Sequence, residues 1–139
     1  MKLSRKKTLV IAASMAATLA IGSLLMWRDI RVAPRVEPSA LLANATPGAT
    51  ILDVRSAWEY ERGHVPGARR VPFWSPSELS NLQIPHDAPI VIYCELGPRA
   101  AWAKWTLQWA GFRNVRYLDG HMAGWREAYF PQESSPGKS

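Results

Sequence analysis

The stretch 89-PIVIYCELGPRAA-101 decides the fold. Pro89 to Tyr93 are mostly β-branched or aromatic and read as a buried strand ending at Cys94, the chain's single cysteine. Cys94-Glu95-Leu96-Gly97-Pro98-Arg99 then reads as a tight turn, and Ala100 to Ala110 as a helix. A sulfur at the carboxyl end of a parallel strand, facing a helix N-terminus, sits where backbone N–H groups converge. Those donors and the helix dipole favour negative charge on the sulfur and would cradle an anion built on it. Gly97 lets the turn close, and Arg99 opens the helix with a permanent charge. A cysteine after an apolar strand is, taken alone, a small buried hydrophobe. The C-x-x-G-x-R loop between strand and helix is what points to a nucleophile.

Moving outward, Thr50 to Val54 reads as a strand. Ser56-Ala57-Trp58-Glu59 is a capping box opening a short helix that Gly63 ends. His64 to Phe73 is a loop with a short strand around Ala68 to Val71, and Ser75-Pro76-Ser77-Glu78 repeats the capping-box pattern. Gly111 closes the helix after the cysteine loop, Val115 to Leu118 is the next strand, Asp119-Gly120 turns the chain, and Gly124 to Tyr129 is a last helical segment. Upstream, Ser39 to Ala45 is a helical turn with Ser39 as its N-cap. Strands alternating with short helices predict an α/β domain over 38–131, with a mostly parallel sheet covered on both faces. In such sheets ligands bind beyond the carboxyl ends of the strands, where Cys94 falls. Residues 132–139 read as a flexible tail.

The net charge of +6 raises the question of nucleic acid, and its distribution answers it. Residues 1–35 hold seven basic side chains and one acid, whereas residues 36–139 hold ten of each. The domain is therefore neutral and offers no electrostatic footprint for nucleic acid. One cysteine excludes an intramolecular disulfide framework and a Cys-rich zinc site. No Gly-rich nucleotide fingerprint, metal-ligand cluster or internal repeat is present, so neither cofactor nor metal is expected.

Residues 1–7 form a basic head, and residues 8–27 run twenty positions without a charge. As a helix, at about 1.5 Å per residue, they span about 30 Å, the hydrocarbon thickness of a bilayer. A cleaved secretory signal has a shorter apolar core followed at once by small-x-small residues. Thr18-Leu19-Ala20 lies inside the run and Ala43-Asn44-Ala45 far beyond it, which favours an uncleaved anchor over a signal sequence. Four basic side chains precede the span, against Arg28, Arg31 and Arg35 after it, partly offset by Asp29. That bias places the N-terminus in the cytoplasm and the domain outside. Residues 28–37, with Pro34, read as a stiff linker. The seven tryptophans are expected mostly in the core or at the membrane edge.

Over residues 38–131 the chain resembles a rhodanese-homology domain, a single-domain sulfurtransferase. The resemblance rests on three separated signatures. The first is Leu52-Asp53-Val54-Arg55 with Glu59-Tyr60 and Gly63-His64-Val65-Pro66-Gly67-Ala68. The second is Tyr93-Cys94 with Gly97 and Arg99, and the third is Leu118-Asp119-Gly120 with Gly124-Trp125. It implies a sheet of about five strands wrapped by helices. It also implies that Cys94 takes a sulfane sulfur from a donor such as thiosulfate or a persulfide, and passes it to a thiophilic acceptor. The N–H groups of Glu95, Leu96, Gly97 and Arg99 would stabilise the persulfide, Pro98 having none, and Arg99 would orient an anionic donor. Asp53 and Arg55 would hold the loop by ion pairing, His64 and Trp125 would shape the domain, and His121 would face solvent.

Two departures bear on the donor. Glu95 places a carboxylate beside the nucleophile, and Pro98 removes a loop donor; both weaken capture of dianions such as thiosulfate. The alternatives to catalysis by sulfur transfer are a non-catalytic rhodanese-like binding or regulatory module at the membrane, and a cysteine-based phosphatase or arsenate reductase. Phosphatase loops place one more residue between cysteine and arginine than the four present here, which counts against that chemistry. Partner proteins are not legible in the sequence.

Overall fold

The computed structural model describes residues 4–134. The chain divides at Val32/Ala33 into an N-terminal helix and a compact domain. The helix, α1, runs Arg5–Val32, longer at both ends than the uncharged stretch, and none of its residues is buried. By length and composition it can cross a membrane. Met1 to Leu3 of the basic head lie outside the described residues.

The segment read as a linker is more structured than expected. It holds the end of α1 and an edge strand, β1 (Arg35–Val36), which pairs with a partner 82 positions along the chain (Arg35 with Tyr117, Val36 with Leu118). The remaining elements are α2 (Pro38–Leu42), β2 (Thr50–Asp53), α3 (Ala57–Arg62), β3 (Arg69–Arg70), α4 (Pro76–Ser80), β4 (Ile90–Tyr93), α5 (Pro98–Trp109), β5 (Val115–Leu118) and α6 (His121–Glu127). The cap of α2 is Glu37 and not Ser39, because Pro38 occupies the first helical position. The Ser56 capping box forms in full, whereas the Ser75 side chain makes no capping hydrogen bond. The tail is anchored at Glu133, whose backbone N–H and C=O both pair with His64; residues 135–139 lie outside the described set.

The five strands form an all-parallel sheet in the order β1-β5-β4-β2-β3. All four residues of β4 are fully buried, as a strand covered on both faces requires. Side chains alternate between the faces. Val91 and Tyr93 join Leu118, Met122 and Trp125, with Leu41 and Tyr60 packed against them, so α2, α3 and α6 cover one face. Ile90 and Ile92 point to the other, where α5 lies against β4, β5 and α4. From β2 the chain moves outward to β3, and from β4 it moves the opposite way to β5. The connections therefore part beyond the carboxyl ends of β2 and β4, opening the crevice where this architecture binds ligands. Asp53 ends β2 and Cys94 follows β4, so both lie at that point.

A buried ion pair sets the end of β2. Arg55 is 2% exposed and Asp53 is fully buried. The guanidinium donates from Nη2 to Asp53 Oδ2 at 2.6 Å and from Nε to both carboxylate oxygens at 3.0 and 3.1 Å. The Arg55 backbone N–H adds a bond to Oδ1 at 2.9 Å. Nη2 also donates to the Gly63 carbonyl at 2.8 Å, tying α3's C-terminus to the strand end.

Two expectations need correction. Of the tryptophans, Trp125 is fully buried, but Trp58, Trp74, Trp102 and Trp109 are exposed on the domain. Trp102, Trp105 and Trp109 recur at helical spacing on α5 and line an apolar groove against Pro76 and Ser80 of α4. His121 does not face solvent; it is 3% exposed. Gly120 and His121 both adopt left-handed backbone (φ 68 and 52), which turns the imidazole inward against Tyr117. Neither ring nitrogen has a hydrogen-bond partner among the described residues. Burial, aided by Arg35 and opposed by Asp119, lowers its pKa from 6.5 to about 4.

Two outcomes follow for stability. The unfolded chain binds a proton at His121 below about pH 6.5 and the folded one only near pH 4, so this residue's contribution is intact above 6.5 and is lost as pH falls toward 4. His121→Asn, which tolerates the same backbone, should flatten the pH dependence of urea unfolding across that window by up to about 3 kcal/mol. Asp53→Asn leaves Arg55 buried without its counter-charge and should cost about 3–5 kcal/mol, read as a fall in Tm of the full chain in detergent micelles.

Candidate active site

Cys94 is 1% exposed and lies at the crevice between β2 and β4, immediately before the turn into α5. The Gly97 N–H donates to its Sγ at 3.0 Å. Gly97 takes φ 128, a conformation that excludes ordinary side chains, and that rotation aims its N–H at the sulfur. Pro98 occupies the first position of α5, where its missing N–H costs nothing, so the helix begins two residues earlier than the sequence indicated. The loop is held from below as well. Met122 N–H donates to the Cys94 carbonyl at 3.0 Å and Ala123 N–H to the Glu95 carbonyl at 3.2 Å, so the first turn of α6 supports it. Leu96 is exposed at the loop tip.

Arg99 does not stand free in the crevice. Its Nη1 and Nη2 each donate to the Glu59 carboxylate at 2.8 Å, a bidentate pair. Glu59 also accepts from the Ser56 backbone N–H and hydroxyl, so one carboxylate caps α3 and holds the start of α5. Arg99's hydrogen bonds, working against burial and helped by Ser56, lower the Glu59 pKa to about 2. The Glu59 bonds, against burial, raise the Arg99 pKa, and the Cys94 sulfur adds to the effect.

On the other side of the loop, Glu95 pairs with two guanidiniums. It accepts from both Nη atoms of Arg126 on α6, the Nη1 contact measuring 3.2 Å. Its Oε2 also lies 3.6 Å from Arg55 Nη1. Beside these groups opens a pocket of about 400 Å³, lined by Arg55, Trp58, Glu59, Arg62, Glu95, Arg126 and others. Arg62 stacks over the Trp58 ring at 4.4 Å. No cluster suited to a metal ion occurs among the described residues.

The structure thus brings Asp53, Arg55 and the whole Cys94–Arg99 loop together. His64 is buried and stacked on Tyr60, and Trp125 donates to the Pro131 carbonyl, so both serve packing. Two residues escaped the sequence reading. Glu59 carried a visible capping signal, but its second role depends on α5 arriving beside it. Arg126 follows the Gly124-Trp125 signature and carries no local mark of its pairing with a residue 31 positions upstream.

The chain has relatives in sequence and in fold. The rhodanese-like domain family model matches residues 37–128. The chain is 32% identical over 106 residues to the thiosulfate sulfurtransferase GlpE of Pseudomonas entomophila, covering 76% of this chain and 94% of that protein. It is also 32% identical over 135 residues to the putative thiosulfate sulfurtransferase SseB of Mycobacterium tuberculosis, covering 90% of this chain and 46% of that protein. The crystal structure of the Alr3790 protein from Anabaena superposes with a TM-score of 0.65 at 27% identity, covering 72% of this chain and 82% of that one. Matched by the family model over residues 37–128, which hold β2 to β5 and the cysteine loop, the chain belongs to the rhodanese-like domain family.

Proposed function

We propose that the protein is a sulfurtransferase of the thiosulfate:cyanide type, working through a persulfide on Cys94. The observation that carries this reading is the sulfur's position: it ends the central strand, faces the start of α5 and accepts the Gly97 N–H at 3.0 Å. Family membership and relatives named as thiosulfate sulfurtransferases support it.

In the first half-reaction the Cys94 thiolate attacks the outer sulfur of the donor. With thiosulfate, the S–S bond breaks and its electron pair leaves with sulfite. In the second, a thiophilic acceptor such as cyanide or a thiolate attacks the outer sulfur of the persulfide, and its electron pair returns to Cys94. The N–H groups of Glu95, Leu96, Gly97 and Arg99 stabilise the charge on the outer sulfur. Arg99, oriented by Glu59, faces the incoming donor, while Asp53 and Arg55 keep the loop in register with β2. Residues 8–27 anchor the chain in a bilayer, with the domain on the outer side as the basic head directs.

The test is intact-mass measurement on the full chain in detergent micelles, after incubation with thiosulfate or a polysulfide and then with cyanide. Wild type should gain one sulfur atom, lose it to cyanide and release thiocyanate, whereas Cys94→Ser should gain none. No adduct from any donor would overturn the enzyme reading in favour of a binding module.

A further inference from the structure

We propose that the Glu95–Arg126 ion pair is a charge latch that selects the sulfur donor, admitting organic persulfides over inorganic dianions; this rests on the sulfurtransferase reading above. The latch joins the residue after the nucleophile to α6, and Arg55 stands 3.6 Å from the same carboxylate. Two guanidiniums at the residue that follows the nucleophile are the groups a dianion would seek, and Glu95 already occupies them. A dianion must displace that carboxylate and then sit next to it. A donor charged only on its reacting sulfur has no such requirement.

Exposure favours a latch over a fixed strut. The Glu95 and Arg126 side chains are 28% and 44% exposed, so water can solvate both when they part. The Asp53–Arg55 pair is buried and has no such freedom. The pocket beside the latch fits the same class of donor. At about 400 Å³, with an exposed Trp58 ring and Arg62 stacked on it, it offers an organic body far more contact than an inorganic anion uses. The chemistry is otherwise that of the first half-reaction. Cys94 attacks the outer sulfur of R–S–S⁻, the S–S bond breaks, and its electron pair departs on the thiolate R–S⁻, which takes up a proton from water.

The experiment compares kcat/KM for thiosulfate with that for the hydropersulfide of 2-mercaptoethanol, which carries no charge apart from its sulfur. Wild-type full chain, Glu95→Gln and Arg126→Gln are measured in detergent micelles. Glu95→Gln should raise the thiosulfate-to-persulfide ratio about tenfold, chiefly through the KM for thiosulfate. Arg126→Gln should lower the ratio, because a cation that a dianion would use is gone while the carboxylate stays. The two variants approach the pair from opposite sides, so Arg126→Gln carries the test if the loop fails to fold in Glu95→Gln. A ratio unchanged in both, with sulfur still taken up, overturns the latch and leaves the sulfurtransferase standing. Uptake by wild type from neither donor overturns both.

Discussion

A guanidinium held 2% exposed between two strand ends must be neutralised where it stands, and Asp53 does so. The rest of the site depends on that pair. An unpaired buried charge costs several kcal/mol, whereas the paired one orients Arg55 toward three further groups. It donates to the Gly63 carbonyl, lies over the Tyr93 ring and faces the Glu95 carboxylate. One side chain therefore links β2, the end of α3, the central strand and the loop after Cys94. Burial opposes the charge on Arg55, and the hydrogen bonds and charge of Asp53 more than offset it. Arg55 stays cationic, so the loop always has a positive group beneath it.

Two chains of polar contacts meet at that loop from opposite sides. Ser56 fixes Glu59, which holds Arg99 at the start of α5. Asp53 fixes Arg55, which faces Glu95, and Arg126 ties Glu95 to α6. The loop backbone is also pinned to the first turn of α6 by two N–H donors. With both flanks held, the Gly97 N–H keeps its aim at the sulfur without reorganising, the condition under which backbone dipoles stabilise developing charge most effectively.

The sheet was legible because its central members declare themselves. PIVIY and TILDV are short apolar runs bounded by turn residues, and period and length suffice to place them. The edge strand was not legible. Arg35–Val36 is two residues long between prolines, and its hydrogen bonds come from β5, where Tyr117 N–H reaches the Pro34 carbonyl and Asp119 N–H the Val36 carbonyl. Nothing local encodes that pairing. The cysteine loop could be read from its residue types, since strand, glycine and helix start define it. The charges that hold it could not, because Glu59 and Arg99 lie 40 positions apart and meet only through the fold. His121 failed for another reason. A polar residue after Asp-Gly reads as exposed turn, yet its left-handed backbone carries the ring into the core.

The charge balance around the loop also decides what can stabilise an anion there. Arg55, Arg99 and Arg126 each meet a carboxylate, matching the equal numbers of acids and bases in residues 36–139. Three neutralised pairs generate far less field than three bare cations. On the proposed reading, a charge on the Cys94 sulfur would therefore be met chiefly by the backbone N–H groups of the loop and the opening turn of α5. Such donors act at hydrogen-bond range, as the 3.0 Å contact from Gly97 does. On that reading, the site would hold a sulfur at contact range and draw anions only weakly from a distance.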